Sequence, residues 1–422
     1  MGKTIVLFGP GPQFKGGIAN YNTSLAKALD KLGHKVHIVS WTQQYPAIIP
    51  RDFIDRKSKK DQLEGTNIEV TYITNYNNPS TWNETVNFIR SLNADKVIFQ
   101  WAIAIQGLPI GYICRKLKKK TNAEVIIDLH LVVQKEASSI DKFFTKYGLN
   151  VVDTYIAHAY KTVEELKETF PDKKYLVNES GERAKDNSHT VIKLYHPIYD
   201  MFQPNPNFDV EVEKAKKGLK KNVFLFFGFI RKYKGLHQVI EAFNILQKQR
   251  KDVSLLVVGE SFWHTLDQNK LSTRIKSALF KTAKSIFLKN SDNEQNYRPL
   301  ELIDQYQLHD TVKVFNEFVP NEDVHKYFQL SDAIVLYYLT ATPSGVESIS
   351  YNFKLPVLAT KVGHFPETII HGYNGYLAED RDVNSMAAEM NHMIEQPIDR
   401  NHVAETASKL SWENYAKAIC IE

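Results

Sequence analysis

Short runs of β-branched and aromatic residues alternate along this chain with longer stretches whose apolar residues recur every three or four positions. The short runs predict strands at Thr4–Phe8, Lys35–Ser40, Ile68–Ile73, Lys96–Gln100, Glu124–Leu129, Thr154–Ala157 and Val191–Leu194. Between the first two, Tyr21–Leu32 carries Leu25, Ala28, Leu29 and Leu32 on one helical face. Strands alternating with helices argue for a parallel, doubly wound sheet. A polar, Asn- and Lys-rich segment, roughly Pro204–Asn222, then reads as an interdomain linker. The alternation resumes at Val223–Phe227, Ser254–Val258, Thr311–Phe315, Ala333–Tyr337, Pro356–Thr360 and Gly375–Leu377.

The expected fold class is therefore α/β, with two similar doubly wound domains in tandem. The expected boundaries are an N-terminal domain over residues 1–204, a linker over 205–222, a C-terminal domain over 223–400 and a terminal helical segment over 401–422. Open parallel sheets bind ligands beyond the carboxyl ends of their strands. Two such sheets in tandem place the expected site in a cleft between them.

Composition narrows the function classes. A chain of 422 residues suits two or three domains and buries a large core without staples. Cys114 and Cys420 form no metal-ligand spacing and read as free thiols in a reducing compartment. The first apolar run, Ile5–Phe8, stops at Gly9-Pro10, short of a secretory signal core. No run approaches the ~20 apolar residues of a spanning helix. These features predict a soluble, cytoplasmic protein. A net charge of +5, with no compact array of Arg and aromatics, argues against nucleic-acid binding. The basic run Arg115–Lys120 closes a predicted helix, where cations complement the macrodipole. Within the long crossover Ser261–Gln307, Lys270–Lys289 holds six basic residues and no acid, with Leu271, Ile275, Ala278, Leu279 and Ile286 on one helical face. It reads either as an amphipathic helix on an anionic membrane surface, making the protein peripheral at the inner face, or as an inserted helix packed on its own domain.

The chemistry concentrates at Phe224–Phe243, FLFFGFIRKYKGLHQVIEAF. A buried strand runs into Gly228. Arg231 and Lys234 follow, and Gly235 precedes a helix with Leu236, Val239, Ile240 and Phe243 on one face. Two cations and a helix N-terminus at one strand end suit a diphosphate. A second helix start is expected at Ser344-Gly345-Val346-Glu347, where Gly345 and Val346 offer backbone N–H groups to a phosphate. Glu347 there either completes a capping box with Ser344 or contacts a ligand hydroxyl. After the first strand, Gly9-Pro10-Gly11-Pro12 and Lys15-Gly16-Gly17-Ile18 allow close approach of a ligand to the backbone. Their spacing is not the dinucleotide pattern, and Lys35–Ser40 ends at Trp41 with no carboxylate for a ribose, which argues against a nicotinamide oxidoreductase. His130 ends the strand Glu124–Leu129 at the edge expected to face the cleft, where it can orient a substrate hydroxyl; His158 and His196 read as structural.

In this order these residues resemble the retaining nucleotide-sugar glycosyltransferases of the two-Rossmann GT-B architecture, glycosyltransferase family 4 in particular. The resemblance spans nearly the whole chain. It rests on Gly16-Gly17-Ile18-Ala19, Gly33-His34-Lys35-Val36, His130, Gly228…Arg231…Lys234-Gly235, Gly259-Glu260, Ser344-Gly345-Val346, Pro356–Thr360, and Val362-Gly363…Pro366-Glu367…Gly372…Gly375. It implies that Arg231 and Lys234 hold the donor diphosphate and serve catalysis. It implies that His130 meets the transferred sugar, and that Gly16, Gly17, Gly228, Glu260 and the Ser344–Glu347 helix start shape the donor site. It further implies no metal and no cofactor, a nucleotide sugar as donor, and a glycan or lipid-linked acceptor. One departure stands out. Many members carry two glutamates eight positions apart before the Pro-Val strand, and counting back from Pro356 puts Ala341 and Ile349 at those places. Glu347 and Glu367 are the candidates to replace a hydroxyl contact. The alternatives are a nucleotide-sugar-binding protein that has lost turnover and, further off, a nucleotide-sugar epimerase.

Overall fold

The computed structural model describes residues 2–46, 53–132, 138–261, 297–343 and 345–421. The N-terminal half runs β1 (Thr4–Phe8), α1 (Gly17–Lys31), β2 (Lys35–Gln43), β3 (Glu69–Asn75), α2 (Pro79–Ser91), β4 (Lys96–Trp101), α3 (Gly107–Lys120), β5 (Glu124–Leu129), α4 (Ser139–Leu149), β6 (Thr154–Ala157), α5 (Tyr160–Thr169), β7 (Tyr175–Asn178) and β8 (His189–Lys193). Its strands form one parallel sheet in the order β3-β2-β1-β4-β5-β6-β8-β7. Every residue of β4 is buried, as expected of a central strand with helices on both faces.

The C-terminal half runs α6 (Val210–Lys216), β9 (Asn222–Phe227), α7 (Leu236–Gln249), β10 (Val253–Val258), α8 (Glu301–Gln305), β11 (Val312–Phe315), α9 (Val324–Gln329), β12 (Ala333–Leu336), α10 (Gly345–Asn352), β13 (Val357–Thr360), α11 (Phe365–Thr368), β14 (Gly375–Ala378), α12 (Val383–Glu395), α13 (Arg400–Lys409) and α14 (Trp412–Cys420). Its sheet is again parallel, in the order β11-β10-β9-β12-β13-β14. Both sheets are doubly wound, so the α/β class with two domains read from the sequence is the observed one.

Alternate strand residues sort into two cores. Val6, Phe8, Val39, Phe99 and Ile127 face one side of the first sheet. Ile5, Leu7, Ile38, Ile98 and Ile126 face the other, pack on Leu25 and Leu29 of α1, and continue through Tyr199 and Phe202 into the second domain's core. Residues 205–222 contain α6, capped by the Asp209 side chain, with no buried residue. Asn205 and Gln329 exchange two hydrogen bonds at 2.8 and 3.0 Å, which ties this segment to the C-terminal domain. The edge strand β7 was not foreseen: Tyr175–Asn178 has only four residues, none fully buried. The helix expected at 270–289 lies outside the described residues.

The chain crosses back at its end. Ile198 N–H donates to the Leu410 carbonyl at 2.9 Å. Helix α14, capped by Ser411, then packs on α1. There the Tyr415 and Tyr21 hydroxyls meet at 2.6 Å, and Tyr21 donates to Asp128 Oδ2 at 2.8 Å. All three side chains are buried. Tyr21→Phe strips a hydrogen bond from a buried carboxylate and another from the Tyr415 hydroxyl. It is expected to lower unfolding free energy by about 1–3 kcal/mol in urea titration, with little change in m-value.

Candidate active site

Two helix starts and two strand ends converge on a cleft of about 290 Å3 between the domains. From the N-terminal domain come Phe14, Gly16, Gly17 and Asn20 at the head of α1. From the C-terminal domain come Gly228, Lys234, Gly259, Glu260 and, at the head of α10, Gly345 and Val346.

The local folding of the β9 end explains how Lys234 is held. Strand β9 stops at Gly228, whose φ of +99° lies outside the range side chains favour. A Cβ there would come 2.8 Å from Lys234 Nζ, so the missing side chain leaves the ammonium its place against the turn. Gly259, ending β10 alongside, would put a Cβ 2.1 Å from the Gly228 carbonyl oxygen, so the two turns nest only because both are glycine. Residues Lys232–Lys234 form a single 3-10 turn, and Gly235 in the left-handed region (φ +67°) starts α7.

Lys234 is 7% exposed. Among the described residues no carboxylate pairs with it; the Tyr338 ring lies 5.8 Å away. Burial, and secondarily the Arg231 charge, push its pKa down to about 7. Arg231 is half-buried, lies over the Tyr233 ring at 5.4 Å, and is not part of the cleft lining. Carboxylates do reach the cleft, but two are engaged elsewhere. Asp55 accepts backbone N–H bonds from Lys57 and Ser58, and Glu317 pairs with Lys57 at 3.5 Å.

Tyr199 was not singled out by sequence and sits between the two helix starts. Its hydroxyl donates to the Gly17 carbonyl at 2.7 Å, and a Cβ on Gly345 would lie 2.5 Å from its ring. It spaces α1 and α10 across the domains. A lone tyrosine after His196-Pro197 carries no pattern that could have shown this.

Other expected residues stand elsewhere. Ser344 lies outside the described residues. Glu347 is corrected in its role: its side chain turns into the C-terminal domain, where Oε2 meets His364 Nε2 at 2.7 Å and Oε1 accepts from Tyr351 at 3.1 Å. With its carboxylate buried in that pair, it lines no part of the cleft. Glu367 likewise serves structure, accepting from the Tyr160 and Lys161 backbone N–H groups at the start of α5, at 2.8 and 3.1 Å. His130 also lies off the cleft lining. It bonds Gln100 Oε1 at 2.7 Å, stacks on His158 at 5.2 Å and meets the Tyr21 edge at 4.8 Å. Burial pushes its pKa down to about 4, so it is neutral at pH 7. His158 pairs with Asp128 at 2.7 Å; burial raises the Asp128 pKa, but His158, His130 and the Tyr21 hydroxyl together hold it below the usual carboxylate range.

Among the described residues two groups have metal-compatible spacing. Asp128, His130 and His158 are already committed to one another and to Gln100, Tyr21 and neighbouring rings. In the other, His371 accepts from the Leu377 N–H and His392 pairs with Glu389, away from the cleft lining.

One end of the cleft is closed by two loops in contact. Lys57 Nζ reaches the Phe318 carbonyl, Lys59 N–H donates to Glu322, and Asn321 N–H donates to Ser58 Oγ, at 3.4, 3.2 and 3.1 Å. Lys15 lies 4.9 Å from the Phe318 ring centre.

Residues 207–410, which include the whole β9–β14 sheet, match the family Glycosyl transferases group 1. Spore coat protein SA of Bacillus subtilis is 22% identical over 316 residues, 72% of this chain and 73% of that protein. D-inositol 3-phosphate glycosyltransferase of Corynebacterium urealyticum is 23% identical over 248 residues, 56% and 52% of the two chains. Among solved structures, Anabaena HepE in complex with UDP-glucose superposes with a TM-score of 0.68 at 16% identity, covering 99% of this chain and 98% of that one. A glycosyltransferase from Rickettsia africae gives 0.65 at 17% identity, with 98% and 96% covered. Fold and family match together give the chain a glycosyltransferase architecture of the GT-B type. Within it, the C-terminal domain carries the group 1 glycosyl transferase signature.

The buried ammonium has a stability consequence. The folded-state pKa of Lys234 is about 7, against about 10.4 in an unfolded chain. The unfolded state therefore binds the extra proton between these values, and stability rises with pH across that window. Below pH 7 the penalty is fully present. Lys234→Met is expected to stabilise the fold by on the order of 2–4 kcal/mol at pH 6, with the gain fading as pH approaches 10. Urea unfolding of both proteins across pH checks this.

Proposed function

We propose that the protein is a retaining, metal-independent transferase that moves a sugar from a nucleotide sugar to a glycan or lipid-linked acceptor. The observation that carries the reading is Lys234, a buried ammonium in the cleft with no carboxylate beside it among the described residues. An anion of two linked phosphates supplies what the site lacks. Lys234 holds the diphosphate from below. The N–H groups at Gly345 and Val346 and at the head of α1 face it from both domains. Arg231 stands beside Lys234 and adds a second positive charge to the field at the departing group. These cations and amides do the work of a divalent ion.

The acceptor hydroxyl attacks the anomeric carbon on the face the diphosphate leaves. The carbon–oxygen bond to the β-phosphate breaks as the new glycosidic bond forms, and the hydroxyl proton passes to a departing phosphate oxygen. UDP-sugars lead the donor candidates, because the Anabaena relative is seen with UDP-glucose.

Purified protein with a panel of UDP-, GDP- and ADP-sugars is expected to release nucleoside diphosphate slowly without acceptor, and to do so in excess EDTA. Arg231→Ala and Lys234→Ala should each lower kcat/KM by about 10²–10³-fold with folding retained. Because the diphosphate raises the Lys234 pKa, UDP binding at pH 8 should take up as much as one proton, and affinity should fall as pH climbs past about 7. Calorimetry in buffers of different ionisation enthalpy measures this. Silence across the panel, or full rates in both alanine variants, would overturn the reading.

A further inference from the structure

Helix α4 carries a solvent-facing apolar ridge that neither the cleft nor the core uses. Ile140 is 48% exposed and Phe143 59%. Thr145, Gly148 and Leu149 face the domain, which puts Phe143 at the middle of the outer face. Tyr147 extends the ridge, its ring 6.3 Å from that of Phe143. The exposure does not come from loose docking. Ser138 and Asp141 close both halves of a capping box, and Gly107 of α3 packs so closely that a Cβ there would meet the Phe144 carbonyl oxygen at 2.3 Å.

The flanks of the ridge are basic. Lys142 and Lys146 are exposed on α4, and Arg115 lies 3.8 Å over the Tyr147 ring. The single acid on α4, Asp141, is occupied at the helix cap. Aromatic and aliphatic groups projecting between lysines complement an anionic lipid surface, with the rings entering the headgroup boundary and the ammonium groups meeting phosphates. A second copy of this chain is a poor match, because a two-fold contact would set the lysines against one another.

Position gives the surface a purpose. Helix α4 follows β5 and packs on the short turn Ala104–Gln106 that ends β4, so it starts at the carboxyl edge of the sheet, where the cleft opens. We infer that the Ile140–Phe143–Tyr147 ridge with its flanking lysines docks the N-terminal domain on an anionic membrane, presenting the cleft to an acceptor held in the lipid. The docking deepens the function proposed above and rests on that reading only for the acceptor's identity.

The test is co-sedimentation of the full chain with vesicles of phosphatidylcholine, alone or with one part in three phosphatidylglycerol. Binding is expected to the anionic vesicles and to fall with added salt. Ile140→Ser/Phe143→Ser and Lys142→Glu/Lys146→Glu should each reduce it by about tenfold or more. Both pairs are surface changes, so melting temperature and UDP affinity should stay at the parent values, which separates loss of docking from failure of the donor site. No binding to anionic vesicles overturns the inference. So does binding that both variants retain, which would assign contact to another surface, or a dimer in gel filtration that Phe143→Ser dissolves.

Discussion

Withdrawing an ammonium group from water costs several kcal/mol, and inside a protein the return normally comes from a carboxylate. Around Lys234 the return is deferred. Two nested glycine turns, a left-handed Gly235 and the Tyr338 ring hold the side chain in place, and among the described residues no carboxylate pairs with it. Much of the C-terminal architecture follows from that need. The β9 and β10 ends must approach without side chains, the turn after β9 must aim Lys234 back toward the strand, and α10 must start at the same cleft. Such an arrangement costs the empty protein stability, a cost that an anion in the cleft would offset.

Tyr199 shows how the second domain is brought into that arrangement. Helices α1 and α10 belong to different sheets, and nothing in either sheet sets their distance. One phenol, bonded to the Gly17 carbonyl and packed against Gly345, fixes the spacing, and glycine at position 345 lets the ring fit. A side chain at Gly345 would meet the Tyr199 ring at 2.5 Å and displace it, whereas one at Gly17 would stand at an ordinary contact distance of 3.5 Å from the hydroxyl.

The strands and the two-domain order were legible because buried parallel strands are apolar at every position, a local signal. What escaped was non-local or polar. Helix α6 looked like linker because none of its residues is buried. Strand β7 is short and partly exposed. The Ser344–Glu347 spacing was visible, but His364, which takes the Glu347 carboxylate, comes 17 residues later, beyond any helical pattern. His130 was found at its strand end, whereas its partners Gln100 and His158 lie on neighbouring strands, and only the register of β4, β5 and β6 brings them together.

The polypeptide passes between the domains twice, once after β8 and again after α13, and the two passages are stitched together by the bond from Ile198 to Leu410. A single tether would leave the lobes free to swivel and twist. Two tethers side by side act as a pinned door, leaving one easy rotation, about the line through the pins. The buried Tyr415–Tyr21–Asp128 chain secures the far end of the second tether. An opening of the lobes about that line would have its largest travel at the rim opposite the pins.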